Sequence, residues 1–236
     1  MKEFNNKITN LSNNSILSYG FFQPVYIFLF VNLFLISGCS NINKNEDINI
    51  CSTTKLPCID SNEYVLLITN KGNIKLELYG KLAPITVGNF IDFIEKGSYN
   101  KTIFNRVIKK PYPFIIRGGD NTSIGNQKKF LDTKIKNNRY IPLEIKLKTS
   151  NLPIYGKEID EPSQVNNIEL KHKRSYLSMA RSKAVNSASL QFYILLKSLP
   201  ELDGRYAVFG KVISGMNIVD LIQEEDFIIE ARRVDS

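Results

Sequence analysis

The sequence predicts a mainly β fold, either a closed β-barrel or a sandwich, with two short helices as caps. Apolar residues at Ile74, Leu76 and Leu78 alternate with polar ones, the pattern of a strand buried on one face. More short β-prone runs follow after residue 100, and only two segments place apolar residues at helical spacing. This balance of many strands and two helices indicates the fold class.

The first predicted elements are a hairpin and a helix. Tyr64–Thr69 is a short β-prone run, and the Asn-Lys-Gly-Asn sequence at 70–73 is typical of a turn before the alternating strand. A helix is expected to begin at Ala83-Pro84, because the missing N–H of proline costs nothing in a first turn. Apolar residues then recur at helical spacing until Gly97 ends the helix, at Val87, Phe90, Ile91 and Ile94.

The second half of the chain is predicted to consist mostly of strands. The β-prone runs are Thr102–Ile108, Phe114–Arg117, Tyr176–Ala180, Gln191–Leu196, Ala207–Ile213 and Phe227–Val234, and a second helix fits Asn217–Gln223. Residues 121–170 fit this pattern poorly, because Pro142, Pro153 and Pro162 interrupt them. We expect a long loop region or insertion there, and such loops are often functional.

The N-terminus is predicted to be an export signal. Residues 21–38 are mainly apolar, are interrupted by Gln23, Pro24 and Asn32, and end in small residues before Cys39. This arrangement resembles a bacterial lipoprotein signal, which implies removal of residues 1–38 and lipidation of Cys39. An uncleaved signal anchor is the alternative. Either way, we expect a membrane-tethered domain in the cell envelope, periplasmic or surface-exposed.

The polar, Asn-rich segment 39–62 is predicted to be a tether. It contains Cys51 and Cys58, which can form a disulfide outside the cytoplasm, and the sequence leaves open whether they do. Two thiols without a further ligand nearby do not indicate a metal site.

Charge and histidine content restrict the function further. Of the formal net charge of +8, residues 101–150 carry twelve basic and three acidic side chains. This stretch is interpreted as a solvated basic loop without a nucleic-acid partner, because no aromatic-and-basic motif accompanies it. An accessory contact with anionic surfaces through Lys128, Lys129, Lys134 and Lys136 is the alternative. The single histidine, His172, excludes most metal sites and most Ser-His or Cys-His catalysis.

Short motifs occur in a fixed order through the folded part. They are Thr69-Asn70-Lys71-Gly72, 83–90 (APITVGNF), 104–108 (FNRVI), Gly118-Gly119-Asp120, 177–181 (LSMAR), Asn186-Ser187-Ala188, Gln191-Phe192-Tyr193, Leu202-Asp203-Gly204, Val208-Phe209-Gly210 and Gly215-Met216. Together they resemble the cyclophilin-type peptidyl-prolyl isomerases over roughly residues 63–234. The resemblance implies a closed eight-stranded antiparallel β-barrel with a helix over each end. The domain would span 63–236, with a divergent loop region around 121–170.

This resemblance implies an enzyme that rotates X–Pro peptide bonds in exported proteins and so assists their folding. Amide resonance sets a barrier of roughly 18–20 kcal/mol, and lowering it requires no proton carrier, metal or cofactor. Arg106 stands where the family has its catalytic arginine. The substrate-binding positions are Phe114, Ile115, Arg117, Ala180, Arg181, Gln191, Tyr193, Leu202 and Tyr206. The expected partners are proline-containing polypeptides, and the protein is expected to be a monomer.

Several positions depart from the family pattern. Arg117 replaces a usual Gln and adds a second cation, while Asn105 and Tyr206 replace frequent histidines and Glu201 stands at a frequent Trp. About three extra residues separate Arg106 from Phe114. These departures motivate a second hypothesis, a catalytically weak module that binds proline-containing segments or a partner protein.

Overall fold

The computed structural model describes residues 50–119 and 139–236, within which, besides one 3₁₀ helix (Pro200–Leu202), ten strands and four α-helices form. In chain order they are α1 (Ile50–Thr53), β1 (Asn62–Thr69), β2 (Gly72–Tyr79), α2 (Pro84–Glu95), β3 (Arg106–Val107), β4 (Ile115–Gly118), β5 (Glu144–Ile145), β6 (Ile154–Tyr155), α3 (Pro162–Asn166), β7 (Tyr176–Met179), β8 (Phe192–Leu195), β9 (Val208–Ser214), α4 (Met216–Leu221) and β10 (Ile228–Val234). No helix within these two ranges is long and apolar enough to cross a membrane. The predicted signal at 1–38, Cys39 and the lysines at 128, 129, 134 and 136 lie outside them.

Eight strands form one antiparallel sheet in the order β10-β1-β2-β9-β7-β8-β4-β3. The sheet is open and curled, so the prediction of a closed barrel is wrong. The reason is that edge strand β3 has only two residues, where a strand over Thr102–Ile108 was predicted, and cannot pair along β10. The two edges approach each other between residues 101–104 and 225–228, where Ile103 bridges Phe227 and the Lys101 N–H donates to the Ile228 carbonyl at 2.7 Å.

The predicted hairpin and first helix are confirmed. Val65 and Leu67 of β1 and Ile74, Leu76 and Leu78 of β2 are fully buried, as their alternation requires. Helix α2 covers this apolar face of the sheet. Its Phe90 ring lies 4.7, 5.3 and 5.1 Å from the ring centroids of Tyr99, Phe192 and Phe209. The main core therefore lies between α2 and the concave face of the sheet.

The folded region begins before the predicted end of the tether at residue 62. Cys51 and Cys58 are joined by a disulfide, with their Cα atoms 5.2 Å apart. The Ile59 N–H donates to the Pro84 carbonyl at the start of α2, at 3.1 Å. Gly88 permits this close approach, since a Cβ there would lie 2.4 Å from the Cys58 nitrogen. Residues from Ile50 onward therefore pack on the domain.

Residues 139–170 form more than the expected loop. Strands β5 and β6 pair as a short hairpin, and α3 follows. Buried apolar side chains of this region make a second hydrophobic cluster with Ala207, comprising Leu143, Ile145, Leu147, Ile159 and Ile168. The region is thus a structured insertion with its own small core.

The insertion also binds helix α2. The buried Glu144 carboxylate accepts hydrogen bonds from the Ile85 and Thr86 N–H groups in the first turn of α2, at 3.1 and 2.8 Å. Arg139 pairs with Asp92 at 2.6 Å and stacks over the Phe93 ring at 4.4 Å. The insertion and the helix are therefore one packed unit.

Candidate functional site

The candidate site occupies the face of the sheet opposite the main core. Arg106 of β3 pairs with Arg117 of β4, Arg117 with Tyr193 of β8, and Tyr193 with Ser178 of β7. Directly opposed residues of antiparallel strands project from the same face. Their chain neighbours, such as Ile116 and Phe192, project from the other face into the core. The alternation therefore builds a row of polar side chains across four strands.

A cluster of apolar side chains adjoins this row, and we call it the pocket cluster because it contains predicted pocket residues. Its buried members are Ile115, Tyr193, Leu195 and Leu199, and its partly buried members are Ile108, Phe114, Tyr176, Ala180, Leu202 and Tyr206. The structure thus brings together six of the predicted binding positions, namely Phe114, Ile115, Ala180, Tyr193, Leu202 and Tyr206. The cluster is separate from both hydrophobic cores of the domain.

The extra residues between Arg106 and Phe114 leave this geometry intact. The Ile108 N–H donates to the Ile115 carbonyl at 3.0 Å, and the Phe114 N–H donates to the Ile108 carbonyl at 2.9 Å. Residues 109–113 therefore extend beyond the closed end of the hairpin, with the Tyr112 side chain 72% exposed. Arg106 remains directly opposite Arg117.

The two arginines differ in how they are held. Arg106 is exposed, whereas Arg117 is partly buried and its Nε donates to the Asn105 Oδ1 at 3.0 Å. In the described part of the chain, neither guanidinium forms an ion pair with a carboxylate. The site therefore presents positive charge and hydrogen-bond donors beside the pocket cluster.

Arg181 and Gln191 are placed differently from each other. The Arg181 guanidinium binds the Glu158 carboxylate of the insertion and stacks over the Tyr206 ring at 4.9 Å, with 7% of its side chain exposed. The insertion therefore holds this guanidinium at the rim of the pocket cluster. Gln191 is partly buried just before β8, and its carbonyl accepts from the Ala180 N–H at 2.9 Å.

A buried polar network that was not predicted from the sequence lies beneath the pocket cluster. Asp203 Oδ1 accepts the His172 backbone N–H and lies 2.8 Å from His172 Nδ1. His172 Nε2 lies 3.4 Å from the Tyr193 hydroxyl oxygen. Since an ionised carboxylate only accepts, we assign the proton to Nδ1, so that Nε2 accepts from the Tyr193 hydroxyl.

The pKa values of Tyr193 and Asp203 are shifted in opposite directions. Burial raises the pKa of the Tyr193 phenol, so the hydroxyl keeps its proton. Burial alone would raise the pKa of Asp203, but hydrogen bonds from His172 outweigh it and lower that pKa. Ser178, whose hydroxyl donates to the Ala207 carbonyl at 2.9 Å, completes the network.

One sequence signal could have revealed this network. Ser178 is the polar residue between buried Leu177 and Met179, so the period of two alone places it on the pocket face. His172 and Asp203 carried no comparable signal. They are 31 residues apart, and only the fold brings them together.

Comparison with known proteins gives a consistent result. Residues 64–234 match the family described as cyclophilin type peptidyl-prolyl cis-trans isomerase/CLD. A Dickeya dadantii protein named peptidyl-prolyl cis-trans isomerase A is 35% identical over 169 residues, covering 70% of this chain and 73% of that protein. A Rhizopus delemar peptidyl-prolyl cis-trans isomerase-like 2 is 36% identical over 70% of this chain, which spans only 26% of that relative's length.

Two further relatives bear on location and ligand. A Synechocystis protein named as a putative thylakoid lumen peptidyl-prolyl cis-trans isomerase is 31% identical over 75% of this chain and 48% of its own. A Cryptosporidium parvum cyclophilin type isomerase, solved in the presence of the dipeptide Ala-Pro, is 31% identical with a TM-score of 0.55. That structure is covered completely and matches 74% of this chain.

Proposed function

Because the chain belongs to the cyclophilin-type peptidyl-prolyl cis-trans isomerase family, we propose that its pocket cluster and Arg106 catalyse rotation about X–Pro bonds in exported proteins. The observation that carries this proposal is the position of Arg106 and of the predicted apolar residues on one face of the sheet. The relative solved with Ala-Pro supports a proline-containing ligand.

The proposed chemistry needs only a pocket and a fixed donor. In the planar ground state, the amide nitrogen shares its lone pair with the carbonyl, and this resonance makes the barrier. Rotation returns the lone pair to nitrogen and shifts charge within the amide. An enzyme accelerates the step if it binds this twisted state more strongly than either planar isomer. A guanidinium held beside the amide can do so without exchanging a proton.

The residues divide these tasks by their chemistry. Phe114, Ile115, Tyr193 and Leu202 offer apolar surface for the proline ring, which gains free energy when it leaves water. Arg106 is exposed at the edge of the sheet, so it can reach the substrate backbone. Gln191, partly buried beside β8, is proposed to bind the substrate backbone as well.

We place this activity in the cell envelope. The lipoprotein-like sequence ending at Cys39 and the Cys51–Cys58 disulfide both suit an oxidising compartment outside the cytoplasm. The thylakoid lumen relative is an example of a non-cytoplasmic member. Processing after residue 38, a lipid anchor at Cys39, a monomeric state and a role in folding exported proteins are parts of this proposal.

The test is an isomerisation assay on a proline-containing peptide, with the full chain and its Arg106→Ala variant. Removing one transition-state donor commonly lowers kcat by about a hundredfold, and we expect a loss of that order. Arg232→Ala is the matched control, because Arg232 is a half-exposed arginine on β10, at the far edge of the sheet. It should keep the parental rate.

The outcomes separate the two hypotheses. Equal rates for the parent and Arg106→Ala would remove Arg106 from the proposal. A parent that binds the peptide without accelerating its isomerisation would support the binding module instead. Binding measured by fluorescence anisotropy with the same peptide distinguishes these cases.

A further inference from the structure

The direct opposition of Arg106 and Arg117 requires a physical explanation. They form a cross-strand pair on β3 and β4, and like charges in that position destabilise a sheet. Most other arginines of the chain are neutralised, although Arg205 forms no ion pair with a described carboxylate. Five of the eight pair with carboxylates, namely Arg139, Arg174, Arg181, Arg232 and Arg233. The opposed pair beside the pocket is left without such a partner in the described residues.

Arg117 is also oriented for recognition. Its Nε is fixed by the Asn105 Oδ1 at 3.0 Å, and no described group accepts a hydrogen bond from its two terminal nitrogens. The Glu224 carboxylate accepts from the Val107 N–H at 3.1 Å on the edge of β3 and forms no ion pair with Arg117. An anchored guanidinium with free terminal N–H groups matches the two oxygens of a carboxylate.

The position of the pocket determines which part of a substrate would meet this pair. Arg117 is directly opposite Tyr193, whose ring belongs to the pocket cluster. Successive Cα atoms of a peptide are about 3.8 Å apart. With the proline ring in the pocket, a residue next to it therefore lies within the reach of a long arginine side chain.

We propose that Arg117, together with Arg106, makes this site select X–Pro segments in which an aspartate or glutamate directly precedes or follows the proline. The inference rests on the proposed function and names its substrate class. The acidic side chain supplies the missing counter-charge, so binding it relieves the repulsion between the two guanidiniums. A neutral side chain of the same shape supplies no counter-charge and leaves the repulsion in place.

The experiment compares peptides that differ only in charge. Two pairs are used, with Glu or Gln directly before the proline and with Glu or Gln directly after it. For the full-length parent at low salt, we expect kcat/KM for the Glu peptide of at least one pair to exceed that of its Gln peptide about fivefold, which corresponds to a good solvent-accessible ion pair. In ~1 M salt the ratio should approach one, because screening then acts over about 3 Å.

Three variants assign the effect to Arg117. Arg117→Gln should bring the Glu-to-Gln ratio close to one, while Arg117→Lys should retain part of it, since lysine keeps the charge but not the fork. The ratio is internal to each variant, so a change in overall activity cancels. Arg232→Gln removes a distant arginine and should keep the fivefold ratio.

Failure of this inference and failure of the proposed function give different results. If the parent accelerates the Glu and Gln peptides equally, selectivity is overturned and the isomerase function stands. If it accelerates neither, the function fails, and dissociation constants from fluorescence anisotropy for the same peptides test selectivity alone. Equal dissociation constants for the Glu and Gln peptides, or no binding of either, would then overturn the proposed selectivity. A preference for the Glu peptide that persists in Arg117→Gln would overturn it as well.

Discussion

At the scale of the residue, Tyr193 joins two environments. Its ring belongs to the pocket cluster, and its hydroxyl reaches His172 in the buried network below. Asp203 holds His172 through both the backbone N–H and Nδ1, each at 2.8 Å. The orientation of a pocket side chain therefore depends on a carboxylate that does not itself belong to the pocket cluster.

Replacement of Asp203 tests this dependence. Asp203→Ala leaves two buried donors of His172 without an acceptor, and each such loss costs about 1–3 kcal/mol. We expect the free energy of unfolding, measured in urea, to fall by about 2 kcal/mol or more. Asp220→Ala is the control, because its ion pair with Arg174 is half exposed and should contribute at most about 1 kcal/mol. Equal effects of the two substitutions would refute the network's importance.

Some contacts of single residues could be predicted from the sequence and others could not. The positions of Phe114, Ile115, Tyr193 and Leu202 in one cluster followed from motifs that the family shares. The ion pair between Arg181 and Glu158 could not be predicted from those motifs, because Glu158 belongs to an insertion that has no counterpart in them. Long-range partners of this kind depend on the fold and leave no local pattern.

At the scale of the element, helix α2 depends on the insertion. The first N–H groups of a helix lack partners within it, and the side chain preceding α2, Ala83, cannot supply one. Glu144 provides the acceptor from a distance of more than fifty residues along the chain. Its negative charge also lies at the positive end of the helix dipole.

The contribution of this contact can be measured. Glu144→Ala leaves the Ile85 and Thr86 N–H groups without their acceptor, and we expect a loss of about 2 kcal/mol in unfolding free energy. Glu144→Gln keeps one acceptor oxygen and should lose less. Glu169→Ala, at an exposed position of the same insertion, should change stability by less than about 0.5 kcal/mol. An equal loss in Glu169→Ala would contradict the assignment.

Most strands of the main sheet and both predicted helices were predicted close to their observed bounds, whereas the segment Thr102–Ile108 and the insertion were not. The alternation through Ile74, Leu76 and Leu78 and the spacing from Val87 to Ile94 gave β2 and α2 nearly to their ends. Thr102–Ile108 is also rich in β-prone residues, yet residues 101–104 bond to residues 225–228 at the start of β10, so only Arg106–Val107 forms the strand that pairs with β4. The small core of the insertion was missed because proline and glycine separate its apolar residues.

At the scale of the whole molecule, several carboxylates favour the folded state in their charged form. Burial alone would raise the pKa values of Asp92, Asp203 and Asp226, but their hydrogen bonds and cationic neighbours lower all three. Asp226, for example, accepts from the Asn70 amide and the Gln223 N–H, each at 2.7 Å. Burial raises the pKa of Glu144, which acts in the opposite direction.

These shifts predict sensitivity to acid. A lowered pKa in the folded state contributes stability above the ordinary value of 3.8, and that stability is lost as the pH falls through the lowered value. Among the described residues, three carboxyl groups with a lowered pKa outnumber the one whose pKa is raised, so urea unfolding should show declining stability below about pH 4. Asp226→Asn should be less stable at neutral pH and show a shallower decline. A parent whose stability rises below pH 4 would refute this balance.

The alternation along β4 restricts how the protein can change length. Ile115 faces the pocket, Ile116 the core and Arg117 the polar row, so deleting one residue within this strand would exchange the two faces beyond that point. This restriction does not apply to the five residues at 109–113. They lie in the loop beyond the last hydrogen bonds of the hairpin, which Ile108 forms with Phe114 and Ile115. A peptide epitope or a fluorescent reporter could therefore be inserted beside Tyr112, next to the pocket, without shifting a single strand.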